Sequence, residues 1–198
     1  MGEKLKKLAA YYKPYKGLFF SDMFFAILGA AVTLILPLIV RYITNEVVYF
    51  PAEDVLHTIT WIGVLMFGLV ILEFGCNYFI GYYGHLMGAK MEADMRRDIF
   101  GHYQKLTFAF YDNQKVGGLL SRITSDLFDI TELLHHGPED IVISIIKLVG
   151  SFAILFSINA KLTLVAFAFI PVMILYAGYY NRKMKRAFTR NRVKIPDI

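Results

Sequence analysis

The sequence predicts an all-α integral membrane protein, an N-terminal elbow helix followed by four long helices that cross a bilayer. Three observations carry this expectation. Of 198 residues, 57% are hydrophobic and 19% charged, against roughly half and a quarter in an average soluble domain. The apolar residues are gathered into four long blocks. Lysine and arginine crowd alternate flanks of those blocks, the pattern that sorts loops to the cytoplasmic side.

A helix needs about 20 apolar residues to cross the hydrocarbon. From Leu18 to Val40 the only charge is Asp22, and from Val55 to Ala89 it is Glu73. From Ile141 to Asn159 it is Lys147, and from Leu162 to Tyr180 there is none. The expected organisation is an elbow over 1–16, a first span over 18–45 and a second over 55–106 that continues into the cytoplasm. A connecting tip follows over 107–114, then a third span over 117–158 and a fourth over 161–195. The first sixteen residues hold five lysines and no apolar run, so they do not read as a cleavable signal.

Orientation follows from the basic residues. The N-terminal flank carries Lys4, Lys6, Lys7, Lys13 and Lys16, and the middle segment Lys90, Arg96, Arg97, Lys105, Lys115 and Arg122. The C-terminal flank carries Arg182, Lys183, Lys185, Arg186, Arg190, Arg192 and Lys194. The loops around Tyr42–Asp54 and Ser157–Lys161 hold only Arg41 and Lys161 at their edges. Both termini and the middle segment are therefore expected in the cytoplasm, in a multi-pass protein of the cytoplasmic membrane. The formal charge of +5 is explained by these flanks, so the bilayer is the expected partner and nucleic acid is not. A single cysteine, Cys76, excludes an internal disulfide and hints at no metal cluster.

Leu5, Leu8, Tyr12 and Tyr15 recur at three- and four-residue steps among lysines. This reads as an amphipathic helix lying in the interface, with Pro14 and Gly17 breaking it before the chain turns inward.

Between the second and third spans, Met91, Met95, Ile99, His102 and Leu106 keep helical spacing, so the second span continues well past the membrane. Phe108, Phe110 and Tyr111 then cluster on polar ground, Asp112 and Asn113 punctuate, and Gly117 and Gly118 permit a sharp turn. The excursion is a helical hairpin with an aromatic tip. The helix from Lys90 to Leu106 carries that tip about 25 Å beyond the bilayer, where exposed aromatics imply a docking surface.

The returning helix carries Arg122, Asp126, Asp129, Leu133, His136, Asp140, Ser144, Lys147 and Ser151 at steps of three or four. These positions fall within about 40° of one direction. Arg122, Asp126 and Asp129 read as structural cytoplasmic positions. The deeper His136, Asp140, Lys147 and Ser151 are candidate cavity residues, because lipid does not tolerate such a face. Glu73 and Lys147 sit at matching depths, roughly 20 Å from the outer face, and are expected to pair or share a cavity, with Asn77 as another partner for Glu73. Pro37, Pro138 and Pro171 can kink their helices, and Gly81, Gly84 and Gly88 suit close helix packing. His135 and His136 are adjacent, so their side chains are expected to leave the helix on different sides and make a poor metal pair.

No G-x-x-x-x-G-K-[ST], H-E-x-x-H or G-x-S-x-G occurs, so no catalytic centre, bound cofactor or metal is expected in this chain.

Two stretches carry a resemblance. Phe110 to Asp126 reads F-Y-D-N-Q-K-V-G-G-L-L-S-R-I-T-S-D, and Asn159 to Leu164 reads N-A-K-L-T-L. The first resembles the F-[FY]-D-x-x-x-x-G-x-L-x-S-R-x-x-x-D run at the first coupling helix of ABC exporters. The second is similar to their turn between the third and fourth spans. With the elbow and the long cytoplasmic extensions, essentially the whole chain resembles the start of the membrane domain of a bacterial half-transporter of the multidrug, lipid or peptide type, with the type IV exporter fold.

The resemblance implies six spans, of which four are present here. It also implies a nucleotide-binding domain holding ATP and Mg, docked on Phe108, Phe110, Tyr111, Asp112 and Asn113. It further implies a second half-transporter, identical or different. Binding and hydrolysis of ATP by the parent translocase would drive alternating access for a hydrophobic or amphipathic substrate. The second coupling helix, the last two spans and the ATPase domain are not in the chain, and Pro196 stands where the family continues a helix. A fragment, a truncated reading frame or a partial subunit is therefore expected, inactive in transport alone. Two other readings stand beside it: a non-enzymatic scaffold or degenerate subunit that pairs with a complete transporter, and a four-span carrier driven by ions through Glu73, Asp140 and Lys147.

Overall fold

Backbone amides in hydrocarbon have no water to bond, so apolar blocks of this length must satisfy themselves as helices. The computed structural model describes residues 2–112 and 114–194. Asn113 and Pro196 lie outside the described residues, as do the side chains of Lys4, Leu5, Arg190, Arg192 and Lys194. Among the described residues there is no strand.

The elbow is α1 (Gly2–Ala10), followed by a 3₁₀ turn over Lys13–Tyr15. The first block is α2 (Lys16–Asn45). A 3₁₀ turn over Val47–Tyr49 leads into α3 (Ala52–Phe79). A π turn, Ile80–Gly84, joins α3 to α4 (His85–Tyr103). Short helices α5 (Phe108–Asp112) and α6 (Val116–Ser121) make the tip and the return. A second π turn, Arg122–Asp126, opens into α7 (Leu127–Ile158), and α8 (Ala160–Phe167) and α9 (Phe169–Lys194) follow. Four helical stretches, Lys6–Tyr49, Glu53–Tyr103, Val116–Ile158 and Ala160–Phe188, are long and apolar enough to cross a membrane. The chain divides into two units, residues 1–147 and 148–198.

In the first unit, α2 and α3 run antiparallel, and a ladder of contacts fixes their register. Thr33 Oγ1 donates to Glu73 Oε1 at 2.9 Å. A methyl at Gly29 would sit 3.4 Å from Cys76 Cβ. The Phe25 and Phe79 rings are 4.2 Å apart. A methyl at Gly84 would lie 2.9 Å from Asp22 Oδ1. The contacts descend α2 as they ascend its partner. Ala26, Gly29, Ala30 and Cys76 are buried along this seam, where small side chains let helix backbones approach. The opposite faces expose Phe20, Phe24, Trp61, Phe67 and Phe74, an apolar surface suited to lipid.

The α4 helix buries Met87, Met91 and Met95, one per turn. From α6 through α7 the buried residues are Leu119, Ile123, Leu127, Thr131, His135 and Glu139, every fourth position. Arg96 Nε donates to the Ile123 carbonyl at 3.4 Å, inside the π turn where the helical ladder is widened.

The elbow is moored by tyrosines. Tyr11 donates to Asp98 Oδ2 at 2.8 Å and Tyr15 to Asp94 Oδ2 at 2.7 Å, both acceptors on α4. Tyr12 donates to the carbonyl of Leu134 on α7. That carbonyl is available for a definite reason: Pro138, four residues on and inside α7, has no N–H to give it. The expected break falls at Tyr11 and Tyr12, and Pro14 takes the 3₁₀ turn, whereas Gly17 lies within α2.

In the second unit, Asn159 ends α7 and caps α8. Its Oδ1 accepts the Leu162 N–H at 3.0 Å, and its carbonyl accepts the Thr163 hydroxyl at 2.8 Å. This is the N-cap geometry that favours Asn, and it gives a physical reason for the N-x-K-L-T pattern. Helix α8 stops at Phe167 because Pro171 supplies no donor to the Phe167 carbonyl, and Pro171 itself sits in the first turn of α9, where no donor is needed.

Tyr12→Phe should cost about 1–3 kcal/mol by orphaning the Leu134 carbonyl. In a Pro138→Ala background, residue 138 supplies the missing N–H and the cost should shrink to well under half. A double-mutant cycle on unfolding in mixed micelles checks this, and equal costs in both backgrounds would disprove the link.

Candidate functional site

The aromatic tip takes shape from α5. Tyr111 folds back so that its hydroxyl donates to the Tyr103 carbonyl at 2.6 Å, closing the end of α4. Phe110 packs edge-on against Tyr111 at 5.4 Å and is half-buried. Phe108 is different, at 89% exposed, and Asp112 beside it is also exposed. The tip therefore uses Tyr111 to fix its own shape and presents Phe108 outward.

Behind the tip, Arg122 and Asp126 line a groove of about 550 Å³ with Asp98, Ile99, His102, Tyr103, Leu127 and Ile130. Arg122 and Asp129 are exposed and Asp126 is half-buried. Further along, Asp140, Ser144 and Lys147 are exposed, while His136 and Ser151 are half-buried. Within this chain the buried stripe is the neighbouring one that ends in Thr131, His135 and Glu139.

Glu73 is half-buried and takes its hydrogen bond from Thr33. Lys147 makes no ion pair among the described residues, and Asn77 is exposed. The partner of Glu73 is thus a hydroxyl on α2, reached through the α2–α3 register.

The expected divergence of His135 and His136 is corrected by the structure. Their rings lie 4.4 Å apart, and the His85 ring sits 5.1 Å from each. Successive Cβ atoms on a helix do point in different directions, but two side-chain torsions swing both imidazoles toward the His85 side. Next to them, Asp22, His135 and Glu139 are buried on α2 and α7. Sequence reasoning selected none of His85, His135, Glu139 or Asp22 as site residues. The available signals were the lone charge of the first span and the every-fourth-residue stripe from Leu119 to Glu139.

A family model described as the ABC transporter transmembrane region matches residues 19–197. The chain belongs to that family. YwjA of Bacillus subtilis, an "Uncharacterized ABC transporter ATP-binding protein", is 43% identical over 195 residues, covering 98% of this chain and 33% of YwjA. YgaD of the same species, named "Putative multidrug export ATP-binding/permease protein", is 26% identical over 191 residues, covering 95% and 33%. A Staphylococcus aureus protein of the same descriptive name, SAOUHSC_02003, is 27% identical over 192 residues, covering 95% and 33%. The chain spans about a third of the length of these relatives. With its four long apolar helices, this ABC membrane-domain chain is a multi-pass membrane protein.

The Thr33–Glu73 bond links the first two membrane helices of this ABC domain. Interhelical hydrogen bonds within membranes average about 0.6 kcal/mol and reach about 1.7. A cycle of Thr33→Val and Glu73→Gln, read by unfolding in mixed micelles, should return a coupling in that range. Zero coupling would remove this bond from the account of the α2–α3 register.

Proposed function

We propose that this chain supplies the first four membrane-crossing helices of an ABC exporter half-transporter, with both termini and the α4–α7 hairpin in the cytoplasm. The orientation rests on the alternation of basic and non-basic flanks. The α5 tip is the docking point for an ATPase domain that binds ATP and Mg, with Phe108 as its anchor and Asp112 beside it. The observation that carries this reading is the exposure of Phe108 on a helix whose other aromatics are spent holding it in place.

The mechanism follows from this arrangement. An aromatic seated in a pocket of the ATPase domain transmits displacement through α5 to α4 and α7, which the tip joins. Two such halves, identical or different, alternate between inward- and outward-facing states. The substrate class is hydrophobic or amphipathic, in keeping with the multidrug export named for YgaD and the Staphylococcus aureus relative.

In the complete transporter, reconstituted in proteoliposomes, Phe108→Ala should lower ATP-dependent uptake of an amphipathic dye at least tenfold, since truncating a buried aromatic anchor costs 2 kcal/mol or more. Basal ATP hydrolysis should fall far less. Uptake and hydrolysis unchanged from the parent protein would refute the docking assignment.

A further inference from the structure

Asp22 projects from α2, and His135 and Glu139 stand one turn apart on α7, so the two α7 side chains share a face. All three are almost fully buried, with 0%, 2% and 6% of their surface exposed. Both carboxylate oxygens of Asp22, both ring nitrogens of His135 and Oε2 of Glu139 are buried without a hydrogen-bond partner. One donor atom from each of the three residues lies within 4.8 Å of the others. Leaving this many polar atoms without a hydrogen bond in an apolar interior is costly, most of all at the Asp22 carboxylate. A ligand that accepts lone pairs from oxygen and nitrogen together engages one atom of each of the three residues at once.

We propose that Asp22, His135 and Glu139 form a binding site for a divalent transition-metal cation, with Zn²⁺ the best match. The donor set decides the chemistry. Imidazole argues against Mg²⁺ and Ca²⁺, which take oxygen ligands, and no thiolate joins the cluster to favour Cu(I). Two carboxylates and one imidazole suit Zn²⁺, which binds such donors at about 2.0–2.2 Å. Donors around such an ion lie within roughly 4 Å of one another, so small rotamer changes close the site.

The surroundings supply the rest of the site. His136 Nδ1 is 3.8 Å from Glu139 Oε2, and the donor atoms of His85, His135 and His136 also lie within 4.8 Å of one another. His136 borders the cluster, with its Nε2 3.5 Å from Glu132 Oε2 on the other side. His85, which is exposed, marks the route of entry. Space for the cluster is kept by Gly84, where a methyl would overlap His135 Cε1 and come within 2.9 Å of both Asp22 Oδ1 and His135 Nε2. Gly84 closes the π turn, a distortion that recurs at functional positions.

The test uses the complete protein, purified in detergent without a histidine tag and stripped with a chelator. Zn²⁺ is then titrated by calorimetry, and retained metal is measured by elemental analysis. One Zn²⁺ per chain is expected, with a melting temperature that rises on Zn²⁺ addition and falls back with chelator. Asp22→Asn and Glu139→Gln keep side-chain shape, and each should weaken binding at least tenfold. His57→Gln, an exposed histidine on α3, should bind as the parent does. If His135→Gln fails to fold, the two carboxylate variants carry the test; their chelator-treated melting temperatures should equal or exceed the parent's, since each removes a buried carboxylate. No stoichiometric Zn²⁺, or Zn²⁺ bound equally by both carboxylate variants, overturns the site. Stronger binding of Mg²⁺ or Ca²⁺ than of Zn²⁺ overturns the role of the imidazole.

Discussion

At Gly29 and Cys76 the backbones of α2 and α3 come close enough that a side chain larger than hydrogen on α2 would touch the facing Cβ. Lipid supplies no hydrophobic drive for helices to associate, so this approach has to be held by packing and by the few polar contacts along the seam. The same register brings Thr33 to Glu73 at one level and Asp22 to Gly84 at another. Those two levels are about 16 Å apart along α2. A slip of one residue would remove the donor from Glu73 and drive Asp22 out of its cleft in the same movement.

The two π turns sit where α-helical geometry would have failed. Ile80–Gly84 lets a helix that faces α2 over α3 present Gly84 and Gly88 to His135 in its next turns. Arg122–Asp126 exposes a carbonyl that Arg96 reaches from α4. Each adds a residue to one turn and rotates everything beyond it relative to an ideal helix.

That rotation explains which parts of the molecule were legible in the sequence. Four long apolar blocks permit one outcome in a bilayer, and the helices follow them. The register of α2 on α3 was not legible, because α3 is apolar on nearly every side and its periodicity carries no direction. The polar stripe from Arg122 to Ser151 presupposes an unbroken α-helix, whereas its first turn is a π turn and the buried stripe is its neighbour. Depth alone pairs Glu73 with Lys147, and depth says nothing about azimuth. A helical wheel treats side chains as rigid spokes and so does not single out His135 and Glu139. The cluster depends on imidazole torsions and on a glycine in another helix, neither of which a linear pattern records.

The elbow gains a different character from its tyrosines. A greasy stripe lying in the membrane interface would slide without registering what happens beneath it. Three hydroxyl bonds have short reach and fixed direction. Two of them end on α4 and the third on α7. The Tyr11–Tyr15 segment is therefore a strap across two levers, and any motion that parts α4 from α7 has to lift it or snap one of its fastenings.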